Sequence, residues 1–122
     1  MGLTHVAVQL LSPDSNDTFT GNFLVDTGAW DSLVPASELS KIGIKPTGKR
    51  AYELATGEIA EYQIGLARFS FMNEEVTAPV IFGPEEAEPL LGVTALELAG
   101  FIVDTVNQTI KKLTVFPLKR VA

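Results

Sequence analysis

Apolar and polar residues alternate from the start of the chain: Val6, Val8 and Leu10 fall on one side, His5, Ala7 and Gln9 on the other. This is the two-residue period of a strand with one buried face, and it predicts a first strand over about residues 3–11. Ser12-Pro13-Asp14-Ser15-Asn16-Asp17 is rich in residues that bend the backbone or bond to it locally, so a hairpin turn follows. The return strand runs from about Thr18 to Val25 and stops at Asp26. There Gly28 permits either a close backbone approach or a positive φ. Ser32-Leu33-Val34 reads as a short strand, Pro35 as the first position of a brief helix through Ile42, and Gly43 as its end.

Tyr52-Glu53-Leu54 and Ile59 to Leu66 flank Ala55-Thr56-Gly57-Glu58, a short glycine-containing connection that predicts a hairpin able to serve as a flap. Tyr62, Ile64 and Leu66 share one phase while Phe69 and Phe71 share the other, which predicts a bulge or bend near Gly65 if both sets are to face inward. A further strand is expected over Val76 to Phe82, then an exposed acidic loop over residues 83–89. Thr94 and Glu97 have capping-box spacing ahead of Gly100 and define a short helix. Phe101-Ile102-Val103 and Thr109 to Phe116 predict a closing hairpin around Asp104 to Gln108. The pattern as a whole is all-β, a small β-barrel with one or two short helices.

A chain of 122 residues with 46% hydrophobic content has the length of one domain, expected to span residues 1–122, and can bury one core. Ten glycines and seven prolines among short apolar runs favour strands and turns over long helices. A net charge of −6 argues against a nucleic-acid groove, which needs surplus Lys and Arg on one face. Lys111, Lys112, Lys119 and Arg120 read instead as a solvated C-terminal strand and tail. With no cysteine, disulfides, thiolate nucleophiles and Cys-based zinc sites are excluded. No basic segment followed by a long apolar run opens the sequence, and no stretch approaches the length of a membrane span, so a soluble, cytoplasmic protein is expected. Val6 stands where a myristoylation pattern wants Ser or Thr.

The chemistry is concentrated in Phe23-Leu24-Val25-Asp26-Thr27-Gly28-Ala29, where an apolar strand delivers one carboxylate into a turn made by a hydroxyl residue and a glycine. Farther on, Pro89-Leu90-Leu91-Gly92 supplies an apolar-apolar-glycine segment. The two in this order, in a chain of this size, resemble the retropepsin-like aspartic proteases, in a form closer to the cellular and microbial members than to the viral ones. The resemblance implies the acid-protease fold and a homodimer, because two carboxylates sharing one proton are needed and one Asp-Thr-Gly is present. It implies that Asp26, Thr27 and Gly28 are catalytic, and that Leu90, Leu91 and Gly92 pack behind the catalytic turn. It further implies that Ala29, Trp30, Thr56 and Gly57 meet an extended polypeptide substrate, with no metal or organic cofactor, no nucleic acid and no membrane. Viral relatives commonly have a second aspartate where Trp30 stands and an arginine where Val93 stands, which implies a different dimer interface or cleft here. Trp30 can line that cleft or pack under the first short helix.

Other readings compete. Asp104-Thr105-Val106 echoes the motif, but Val106 replaces the glycine and Asp104 suits a turn. His5 is the sole histidine, alternates with the apolar face, and has no Gly-x-Ser-x-Gly partner for nucleophilic catalysis. Asp14, Asn16 and Asp17 lack the glycine and terminal glutamate of an EF-hand loop. Asn16-Asp17-Thr18 and Asn107-Gln108-Thr109 match the glycosylation pattern without an export signal to give it weight. The main alternative is a non-catalytic retropepsin-like module for dimerisation or peptide binding; a plainer one is a small barrel whose Asp26 is a structural turn residue.

Overall fold

The computed structural model describes residues 2–104, 106–107 and 109–116, with side chains from Thr4 onward. Lys119 and Arg120 of the expected tail, Thr105 and Gln108 lie outside the described residues. The opening hairpin pairs β1 (Gly2–Leu11) with β2 (Thr18–Asp26), in register from His5 opposite Leu24 to Leu11 opposite Thr18. Its alternation is the one the sequence predicts: Val8, Leu10, Phe23 and Val25 are buried, while His5, Ala7 and Gln9 are exposed. β3 (Ser32–Pro35) leads straight into α1 (Ala36–Lys41), whose Leu39 is fully buried, and Gly43 ends the turn at φ +81°.

β4 (Gly48–Glu53) and the first part of β5 (Ile59–Phe71) form the long hairpin, and the rest of β5 pairs with β6 (Glu74–Gly83). β7 (Leu90–Leu91) is followed by α2 (Val93–Leu98), then β8 (Phe101–Asp104) pairs with β9 (Thr109–Lys112) as a separate two-stranded sheet. The large sheet runs β1-β2-β7-β3-β6-β5-β4, and β1 also pairs with β5 through residues 9–11 and 68–70. That extra ladder joins six strands into a closed ring of pairings and leaves β4 outside it as an edge. Phe23, Phe69, Leu10, Leu91 and Val80 fill the inside.

Three expectations differ from what is observed. The register of β5 on β6 is unbroken from Ile64–Ile81 to Phe71–Glu74, so no bulge occurs at Gly65. Gly65 itself takes the inward position, against the Lys45 carbonyl, where a Cβ would stand only 2.8 Å away. Leu66 is thereby left 52% exposed, and Tyr62 and Ile64 serve the opposite face. The capping box of α2 does not form: the N-cap is Gly92, with no side-chain cap. Finally, β9 stops at Lys112 instead of Phe116. The Leu113 N–H still continues the pairing by donating to the Gly100 carbonyl at 2.8 Å; the chain then bends at residues 114–115, and the Phe116 ring rests on Gly100.

The turn between β5 and β6 holds only Met72 and Asn73, at φ 50° and 65°. A two-residue hairpin with both φ values positive favours Asn-Gly, and methionine is strained there. The double substitution Met72→Asn, Asn73→Gly should therefore stabilise the protein by about 1 kcal/mol, raising the midpoint of thermal unfolding by a few degrees. An unchanged or lower midpoint would contradict this account of the turn.

Candidate active site

The alternation that buries Phe23 and Val25 turns Asp26 out of the core at the last position of β2, where it is partly exposed. The chain then turns at once. The Gly28 N–H donates to Asp26 Oδ1 at 2.9 Å and the Ala29 N–H to the Asp26 carbonyl at 3.1 Å, so the carboxylate is oriented by its own loop. Gly28 does not have a positive φ, and an added Cβ would lie at an ordinary contact distance of 3.4 Å from Asp26 Oδ1, so neither backbone conformation nor space within the chain requires glycine here.

The second loop is woven into the first. β7 lies between β2 and β3, parallel to β2 and antiparallel to β3. The Leu24 N–H donates to the Pro89 carbonyl at 3.0 Å, and Leu91 is fully buried. Gly92 donates its N–H to the buried Ser32 hydroxyl at 2.9 Å and packs directly on the Asp31 backbone. Past Gly92, the N–H groups of Val93 and Thr94 donate to the carbonyls of Ala29 and Trp30, both at 2.9 Å. Backbone donors of the first helical turn are thus satisfied by carbonyls just beyond the Asp26 turn, which is why α2 needs no side-chain cap.

A cavity of about 830 Å³ opens beside Asp26. Gly28, Ala29 and Trp30 form one wall, Tyr52 to Ala55 of the long hairpin form the other, and Leu33, Tyr62, Ile81 and Leu90 supply apolar surface between them. Trp30 is 70% exposed and borders this cavity, so it does not pack under α1. Thr56 and Gly57 lie at the hairpin tip, with Gly57 at φ +90° and its N–H on the Leu54 carbonyl; the residues lining the cavity stop at Ala55. Thr27 instead borders a smaller recess of about 240 Å³, shared with Val93, Leu96, Phe101 and Ile102.

The sequence reading missed Asp31. Its side chain is only 2% exposed, and its Oδ2 accepts both Arg50 Nη1 and the Tyr52 hydroxyl, each at 2.7 Å. The available signal was the i, i+2 placement of Arg50 and Tyr52, which puts two long donors on one face of a strand. Burial, followed by the bond to Asp31, pushes the Tyr52 phenol up to about 12, and the charge of Asp31 raises the Arg50 guanidinium. His5 is exposed and shares a 2.8 Å hydrogen bond with Glu88. Asp104 accepts the N–H groups of Val106 and Asn107, at 3.0 and 3.1 Å, and so organises the β8–β9 turn. Among the described residues no three His, Asp or Glu side chains converge as metal ligands, and no helix is long and apolar enough to cross a membrane.

A family model described as "gag-polyprotein putative aspartyl protease" matches residues 15–98. The fold is similar to that of the simian foamy virus (mac) protease, with a TM-score of 0.55 and 16% identity over 77% of this chain and 92% of that one. A retropepsin-like aspartic protease from Rickettsia conorii is 26% identical over 82% of this chain and 84% of its own, with a TM-score of 0.44. No curated protein matches the sequence.

Two outcomes check this geometry. A Cβ at position 92 would fall 2.5 Å from the Asp31 carbonyl carbon and 2.7 Å from its oxygen, atoms that cannot yield as a side chain can. Gly92→Ala should therefore cost about 2–3 kcal/mol in denaturant unfolding. The folded-state pKa of Tyr52 lies above its ordinary 10.0, so its bond to Asp31 contributes below that pH and is lost as pH rises through about 12. Phenolate absorbance should show a step near pH 12 that Tyr52→Phe removes; persistence of that step would disprove the assignment.

Proposed function

The chain belongs to the gag-polyprotein aspartyl protease family, a family of retropepsin-like aspartic endopeptidases, and we propose that it cleaves extended polypeptides as a homodimer using Asp26 from each subunit. The observation that carries this reading is the placement of Asp26. It stands at the end of a strand with one buried face, oriented by Gly28, braced by Leu90 to Gly92, and open to a cavity of about 830 Å³. One carboxylate alone cannot both accept a proton from water and already hold one to give away. Two brought within hydrogen-bond reach can, because like charges that close retain a proton between them. The pair would orient a water molecule, one carboxylate taking its proton as the oxygen attacks the peptide carbonyl. The other would deliver a proton to the departing amine.

A twofold arrangement is supported by what surrounds Thr27. The recess it shares with Val93, Leu96, Glu97 and Phe101 has one exposed apolar side chain on its border, Ile102, and Leu98 is 55% exposed on α2. In the proposed dimer the two Thr27 residues bond across the axis while Gly28 lets the turns meet. The cavity walls favour a substrate with apolar side chains, seated between Trp30 and Ala29 on one side and the hairpin on the other. Thr56 and Gly57 would then close over it and exclude bulk water.

The test compares wild type with Asp26→Asn on unfolded casein at acidic to neutral pH, with pepstatin as a control and sedimentation at micromolar concentration alongside. Wild type should sediment as a dimer and cleave casein, pepstatin should block cleavage, and the variant should lose at least about 10³-fold in kcat while remaining dimeric. Equal inertness of both proteins with undiminished peptide binding would mean a non-catalytic peptide-binding module. A monomer at every concentration would remove the shared-proton mechanism.

A further inference from the structure

β4 is the edge of the large sheet, and its backbone ladder runs to β5 alone. The Lys49 side chain also pairs back onto β5, through Glu61. Among the described residues, the only hydrogen bonds or ion pairs from β4 to the rest of the fold are those of Arg50 and Tyr52 with Asp31. Asp31 lies three residues beyond Gly28, and its backbone is pressed against Gly92. One residue therefore meets the loop that braces the Asp26 turn with its backbone and the strand that rises into the hairpin with its side chain.

The energetics of that side chain are one-sided. A carboxylate removed from water is costly unless hydrogen-bonded, and both of its donors come from β4. If the hairpin lifts away, Asp31, which also borders the cavity, loses both donors at once. Arg50 is 47% exposed and pays little on leaving, so the restoring force resides in the acid. The geometry points to Asp31 as a positioning residue that latches the hairpin strand to the catalytic turn through Arg50 and Tyr52, setting how far the flap stands from Asp26. Tyr52 also lines the cavity, its ring centroid 6.3 Å from that of Tyr62. Loosening the latch therefore blurs the wall that meets substrate while leaving the Asp26 loop bonded as before.

The catalytic consequence rests on the proteolytic reading; the latch itself does not, and the two are measured separately. Amide hydrogen exchange on the full chain compares wild type with Tyr52→Phe, Arg50→Gln and Asp31→Ala. In each variant the amides paired between β4 and β5 should exchange about tenfold faster, equivalent to about 1.4 kcal/mol, while those of β2 and β6 keep their rates. With casein peptides, KM should rise about fivefold or more with kcat within about twofold. Wild-type exchange in the hairpin of Tyr52→Phe and Arg50→Gln, or faster exchange spread equally over β2 and β6, overturns the latch. If Asp31→Ala fails to fold, the other two variants decide. Hairpin exchange that rises while no variant and no wild type cleaves casein keeps the latch and removes the protease reading. A fall in kcat with unchanged KM makes Asp31 part of the catalytic turn's support and overturns its role in seating the flap.

Discussion

The insertion of β7 between β2 and β3 is the constraint on which the site depends. A two-residue strand is too short to hold itself, yet Leu90 and Leu91 are bonded on one side to the strand that ends in Asp26 and on the other to the strand that follows its turn. Two segments more than sixty residues apart are thereby locked in register before any side chain contributes. The bonds from Val93 and Thr94 to Ala29 and Trp30, and from Gly92 to Ser32, extend the lock around the turn. Among the described residues the Asp26 carboxylate accepts only the Gly28 N–H, through Oδ1, so its other oxygen carries no protein hydrogen bond.

The rest of the molecule is arranged around that lock. Inside, alternating positions of β1, β2, β5 and β6 fill the ring of strands, which makes the ends of β2 and β7 rigid. Outside the ring stands β4, its backbone paired with β5 along one edge and, among the described residues, with no strand along the other. Asp31 connects these two regimes. It is a buried acid beside the Asp26 turn, satisfied by donors from β4, so in the proposed latch its burial cost bears on the position of the hairpin.

Much of this was legible residue by residue. The period of two over residues 5–10 found β1 and its buried face, Pro35 and Gly43 bracketed α1, and Asp26-Thr27-Gly28 marked the end of β2. Local chemistry sufficed there because each signal concerns residues within a few positions of one another. The failures were of another kind. Thr94 and Glu97 had the spacing to cap α2, but carbonyls from Ala29 and Trp30 satisfied the same donors. Leu66 matched Tyr62 and Ile64 in phase, but Gly65 already filled the inward position because the Lys45 carbonyl needed the space.

What the amino-acid sequence determined by itself is the set of strands, the acid at the end of one of them, and the glycines that let backbones come close, since periodicity and turn chemistry act over short separations. Only the tertiary structure decided that Trp30 borders the cavity, that Thr27 faces a separate recess, and that Asp31 is buried between Gly92 and the hairpin. The physical reason is that a polar group's meaning depends on which donor reaches it once water is excluded. For Asp31 those donors, Arg50 and Tyr52, arrive from nineteen and twenty-one residues away, across a strand pairing that no local pattern records.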